Sequence, residues 1–160
     1  MCLNYFVSQR IMSLFNIFRT SGSRSPNQER ILAYCPDIQQ LAKKSVHEHL
    51  SPQADEFDYD MAIYSGIGIY LAFLYAHLKL DTASPITMKV LDWADEQGDY
   101  KLGASVTYGR LKIGYDSDGS LDKLGKDILQ DLSYISPLHE AVFADVISYI
   151  ESIIPNIKRG

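Results

Sequence analysis

The chain has 160 residues, enough for one domain and too few for two comfortable ones, and at this size a core needs no disulfide or metal support. Hydrophobic residues at 46% and charged residues at 22% exclude intrinsic disorder. A formal net charge of −5 excludes general nucleic-acid binding, which needs lysine and arginine to displace phosphate counterions, and two cysteines without CxxC partners exclude a disulfide framework and point to a reducing, cytoplasmic setting.

Residues 1–24 form an amphipathic N-terminal segment. Leu3, Phe6, Ile11, Leu14, Phe15 and Phe18 alternate with polar positions, Arg10, Arg19 and Arg24 are its only charges, and no acid occurs before Glu29. This composition suits an organelle leader, a first helix packed on the core, or a leader upstream of a start at Met12. Residues 25–160 then form a single helical domain.

Ser-Pro occurs at Ser25-Pro26, Ser51-Pro52, Ser84-Pro85 and Ser136-Pro137, each ahead of a stretch with helical periodicity. Serine accepts an orphan N–H of the first turn, and proline suits a position whose N–H has no partner. Ser25 with Gln28 also reads as a capping box. The first pair opens a helix through Ile31 and Leu32 that Pro36 is expected to break or offset before Ile38, Leu41, Val46 and Leu50. The second opens a central helix over about 53–80. Met61 to Ala76 contains no charge and is apolar on every face, and Gly68, Ala72 and Ala76 make a small-residue line that admits a close neighbour. With acids at Asp58 and Asp60 and with His77 and Lys79 beyond, this stretch reads as too short for a membrane span.

The third pair opens a helix through Val90, Leu91 and Trp93 that Gly98 closes in the C′ role. Over about 104–115 the period shifts: Val106 and Tyr108, then Leu111, Ile113 and Tyr115, alternate around Gly109-Arg110, which predicts a small β-hairpin. Asp116 to Gly119 predicts a turn. A helix follows from Ser120 through Leu121, Leu124, Ile128, Leu129, Leu132 and Ile135, weakened by Gly125. The fourth pair opens the last helix, through Val142, Val146, Ile150 and Ile153, which Pro155 stops. The expected fold is a mainly α, single-domain bundle of about five to seven helices around the central one, with that one hairpin.

Candidate chemistry fails on spacing. His47-Glu48-His49 puts two imidazoles at i and i+2, where they diverge on a helix, and zinc chemistry needs i and i+4. His139-Glu140 has Phe143 where the second ligand belongs. Both read as solvated polar residues. Gly66-Ile-Gly68 lacks the third glycine of a dinucleotide fingerprint, Asp116 and Asp118 do not continue into a calcium loop, and Cys35 beside Pro36 reads as structural. No cofactor or metal is implied.

Two acidic clusters remain. Asp55, Glu56, Asp58 and Asp60 lie at the start of the central helix, and Asp92, Asp95, Glu96 and Asp99 at the end of the next. Between Glu48 and Asp99 ten acids oppose only Lys79 and Lys89. Tyr59, Trp93 and Tyr100 stand among them as aromatic anchors. The leading functional expectation is a non-enzymatic protein, of inhibitor or immunity type, that docks a basic partner protein there. The alternatives are an enzyme whose site is assembled from distant residues, and a membrane-peripheral protein using the N-terminal segment.

Overall fold

The computed structural model describes residues 26–79, 83–118, 128–130, 132 and 136–158. Five α-helices run in order: α1 Pro26–Leu50, α2 Glu56–Leu78, α3 Ala83–Gly98, α4 Lys101–Asp118 and α5 Glu140–Ile153. Two 3₁₀ turns, Pro137–His139 and Ile154–Asn156, flank α5. Ile128–Gln130 and Leu132 are also helical, with Ile128 and Leu132 buried. The expected capping box at Ser25, and Gly119, Ser120, Leu121, Leu124, Gly125 and Ile135 of the expected turn and helix, lie outside the described residues, as does the segment 1–24.

The chain is a helical bundle with α2 at its centre, touched by α1, α3, α4 and α5. From Met61 to Ala76 every residue except Tyr64 is buried. A helix apolar on all faces leaves water only when neighbours surround it, and each fully buried Ile or Leu stabilises the fold by about 1.5–3 kcal/mol. At 23 residues α2 is long and apolar enough to cross a membrane, so the length argument made from sequence does not hold. What commits α2 to the core is coverage, since 89% of its most apolar window is buried.

α2 does not start at Ser51-Pro52, which lies in a turn. Asp55 caps it instead. Its Oδ1 accepts from the Asp58 N–H at 3.0 Å, and its own N–H donates to Asp58 Oδ2 at 2.9 Å, a reciprocal box that satisfies two orphan donors. At the other end Lys79 takes the left-handed conformation and its N–H bonds the Tyr75 carbonyl.

α1 runs unbroken through Pro36. Tertiary packing overrides the proline: Ile31, Cys35, Ile38, Ala42 and Val46 make one buried line on both sides of it, and the Pro36 ring faces solvent. Gly98 is the last helical residue of α3, and Asp99, with φ 63°, takes the left-handed position in its place. The missing side chain at Gly98 makes room for the Tyr100 ring, which an added Cβ would meet at 2.8 Å. The last helix buries the face its sequence predicts, Val142, Val146, Ile150 and Ile153, with Pro155 in the closing 3₁₀ turn, but Ser136-Pro137 opens a 3₁₀ turn without a serine side-chain cap, and the α-helix begins at Glu140.

The expected β-hairpin over 104–115 is absent; those residues are the middle of α4. The residues that pack are Ala104, Thr107 and Leu111, at helical spacing, while Val106 and Ile113 are 55% and 70% exposed. Gly109, expected in the turn, is mid-helix with open space around it. Asp116 is likewise helical, in the last turn of α4, where its Oδ1 accepts from the Tyr75 hydroxyl at 2.8 Å. The close neighbour expected along the small-residue line of α2 is α4 itself: a Cβ at Gly68 would stand 2.5 Å from Thr107 Cβ and 2.8 Å from the Ala104 carbonyl oxygen.

Candidate functional site

α3 packs against α2, and Tyr100, just beyond the acidic end of α3, meets the acidic start of α2. Its hydroxyl donates to Asp60 Oδ1 at 2.9 Å. Burial raises the Tyr100 phenol above its ordinary value, and the Asp60 hydrogen bond and the charges of Asp60 and Glu56 push it further the same way. Asp55, Glu56, Asp92, Asp95, Glu96 and Asp99 are exposed. Asp92 pairs with Lys101 Nζ at 3.0 Å. Tyr59, Trp93 and Tyr100 are half-buried and packed against the core, so each offers only part of its ring to a partner.

Asp58 departs from this face. Its Oδ2 is held in the cap of α2, and its Oδ1 points at His139 Nε2, 3.4 Å away. His139 closes the 3₁₀ turn opened by Ser136-Pro137 and is 2% exposed, which corrects its reading as a solvated residue. Its ring stacks on Phe143 with centroids 5.8 Å apart, and its Nδ1 lies 2.5 Å from Ser136 Oγ. Nε2 has no hydrogen-bond partner within normal reach. Local spacing did not reveal the Asp58 contact; the available signal was a histidine three residues after Ser136, whose hydroxyl meets the imidazole and caps no helix, with Val142 and Phe143 continuing an apolar face.

A second histidine–carboxylate pair stands nearby. His49 Nε2 is 3.0 Å from Asp145 Oδ2, and the buried Ser45 hydroxyl donates to the same oxygen at 2.5 Å. Burial alone would raise the Asp145 carboxyl, but the bonds from Ser45 and His49 and the charges of His49 and Lys44 outweigh it and hold the carboxyl below its ordinary range. The stability this contributes is present at neutral pH and is lost as pH falls through that lowered value. His47 and Glu48 stay exposed, with Glu48 near Lys44 at 3.7 Å.

His49 and Asp58 face one open groove of about 350 Å³, lined also by Leu50, Gln53, Ala54 and Leu138. Among the described residues no three His, Cys, Asp or Glu side chains stand close enough to hold a metal ion. Cys35 is fully buried, its thiol donates to the Ile31 carbonyl, and burial pushes it up to about 12, so it holds no thiolate at neutral pH. The chain matches no protein-family model, no curated protein and no solved structure, so its function is read from geometry and chemistry alone.

Proposed function

We propose that the protein is a binding protein that docks a basic partner protein on the end of the bundle built by Glu56, Asp60, Asp92, Asp95, Glu96 and Asp99. The Tyr100–Asp60 hydrogen bond carries this reading, because it joins two acidic clusters about 40 residues apart in sequence into one face. A single-sign field of this kind steers a cationic partner and raises its rate of encounter. Tyr59 and Trp93 supply the edges of aromatic rings as anchors. An inhibitor or immunity-type protein, which masks a basic effector, is a biological form with these properties.

The geometry also selects which acids to change. Asp55 and Asp58 hold the start of α2, so reversing them disturbs the helix as well as the face. The test is Glu56→Lys, Asp92→Lys and Asp95→Lys together, with partners captured by the immobilised full chain. Wild-type capture should weaken steeply as ionic strength rises beyond the physiological range, where the screening length falls below about 8 Å, and the triple variant should lose the partner. If every captured protein binds the triple variant equally well, the reading is wrong.

A further inference from the structure

We propose that the groove beside Asp58 is a recognition pocket for the side chain of an arginine carried by the basic partner. The source of that side chain rests on the basic-partner reading; the preference for it follows from the groove alone. The groove forms where three parts of the chain meet: the end of α1 with His49 and Leu50, the entry into α2 with Gln53, Ala54 and Asp58, and the 3₁₀ turn ahead of α5 with Leu138. Its volume of about 350 Å³ is small for a ligand site and takes one long side chain.

The polar groups of this groove accept hydrogen bonds and carry negative charge. Asp58 is partly exposed, and only one of its oxygens, Oδ2, is committed to the cap of α2. His139 Nε2 lies 3.4 Å from Oδ1 and makes no hydrogen bond to it, so Oδ1 keeps its lone pairs for another donor. His49 is oriented by Asp145, whose carboxyl is held below its ordinary range. An N–H at His49 Nε2 is attracted to that carboxylate where a lone pair would be repelled, so the neutral ring carries its proton on Nε2 and leaves Nδ1 as an acceptor. Gln53 adds a carboxamide oxygen from an exposed turn position. Among the described residues that line the groove there is no lysine or arginine to occupy these acceptors.

The helix ends agree with this sign. α1 finishes at Leu50 in the groove wall, and the partial negative charge of its C-terminus favours a cation. The partial positive charge at the start of α2 is already offset by Asp55 and Asp58 through their capping box. An arginine fits better than a lysine, because a planar fork of five donors reaches several separate acceptors where a compact ammonium meets one. Its methylene stem lies along Leu50, Ala54 and Leu138 while the head stays polar. Leu138 is 76% exposed and gives an apolar edge that a bare cation would leave in water.

The test titrates the full chain with the blocked tripeptide alanyl-arginyl-alanine amide and with its citrulline counterpart, which keeps the shape and loses the charge, and follows backbone amide signals by NMR. The arginine peptide should saturate, shift the signals of Gln53, Ala54 and Leu138, and bind at least about tenfold more tightly than the citrulline peptide, as one charge-assisted hydrogen bond implies. Asp58→Asn, which keeps an oxygen for the Asp55 N–H, should weaken the arginine peptide by a similar factor. Gln53→Lys, at an exposed position outside the cap, should abolish binding and decides the matter where Asp58→Asn is unfolded. Equal binding of the citrulline peptide, shifts confined to other parts of the chain, or binding indifferent to Gln53→Lys would each overturn the proposal. If the arginine peptide fails while partner capture still needs Glu56, Asp92 and Asp95, the groove is wrong and the acidic face stands; if the peptide binds in the groove while every captured protein ignores the triple variant, the acidic-face reading falls, and with it the source of the arginine.

Discussion

The two halves of α4 bury different kinds of side chain. Where it comes closest to α2 its inner face is small, with Gly103 under the Tyr64 ring and Ala104 and Thr107 against Gly68, and further along it is large, with Leu111 buried and Tyr108 and Tyr115 against the Tyr75 ring. Its outer face also carries large apolar residues, with Leu102 76% exposed and Val106 and Ile113 also in solvent. Distance of approach explains the difference. Where two backbones come close, glycine and alanine bring more atoms into contact than a leucine that holds the helices apart, and dispersion gained over many close atom pairs is collectively large. The lesson is that the buried face of a helix is marked by complementarity to its neighbour, and size alone can point to the wrong side.

The close approach of α4 to α2 is most sensitive to substitution at Gly68. Gly68→Val places atoms where even a Cβ would overlap Thr107 and the Ala104 backbone, and it should destabilise by about 1–3 kcal/mol in denaturant unfolding. A neutral result would mean that α2 and α4 do not approach as closely as described. A smaller effect of opposite sign is expected on the outer face. Gly109→Ala meets nothing within 4 Å, and removing a mid-helix glycine should stabilise by about 0.5–1 kcal/mol; the same measurement would also expose a hairpin, since an alanine in a tight turn that requires glycine destabilises instead. The smallest effect is expected for Val106→Thr and Ile113→Thr, which should stay within about 0.5 kcal/mol of wild type, as substitutions at uncommitted surface positions do.

The same difference explains where the sequence misled. Counting Val106, Tyr108, Leu111, Ile113 and Tyr115 as the apolar set yields an alternating, strand-like pattern, because it mixes the buried Leu111 and the core-packed Tyr108 and Tyr115 with the exposed Val106 and Ile113 and passes over the buried Ala104 and Thr107. The α2 core was legible for the opposite reason: an uncharged run from Met61 to Ala76 has few fates. The site divides in the same way. Both acidic clusters are visible in the sequence as runs of like charge, and a tertiary contact, the Tyr100–Asp60 hydrogen bond, brings them together. The pairing of Asp58 with His139 joins residues 81 positions apart in sequence and left no local trace.

By itself, then, the sequence determined a mainly helical chain, a buried central helix and a glycine-bearing line on it that invites a neighbour, because these follow from periodicity, charge and side-chain volume within one segment. Tertiary structure alone decided that Pro36 would not break α1, since the buried line from Ile31 to Val46 outweighs one lost hydrogen bond. It decided that 104–115 would be helix, because α2 offered a surface only a close-packed helix could cover. It also decided that His139 would be buried between Ser136 and Asp58, because the position of an imidazole relative to a distant carboxylate is set by how α2 and α5 pack and by nothing in either segment alone.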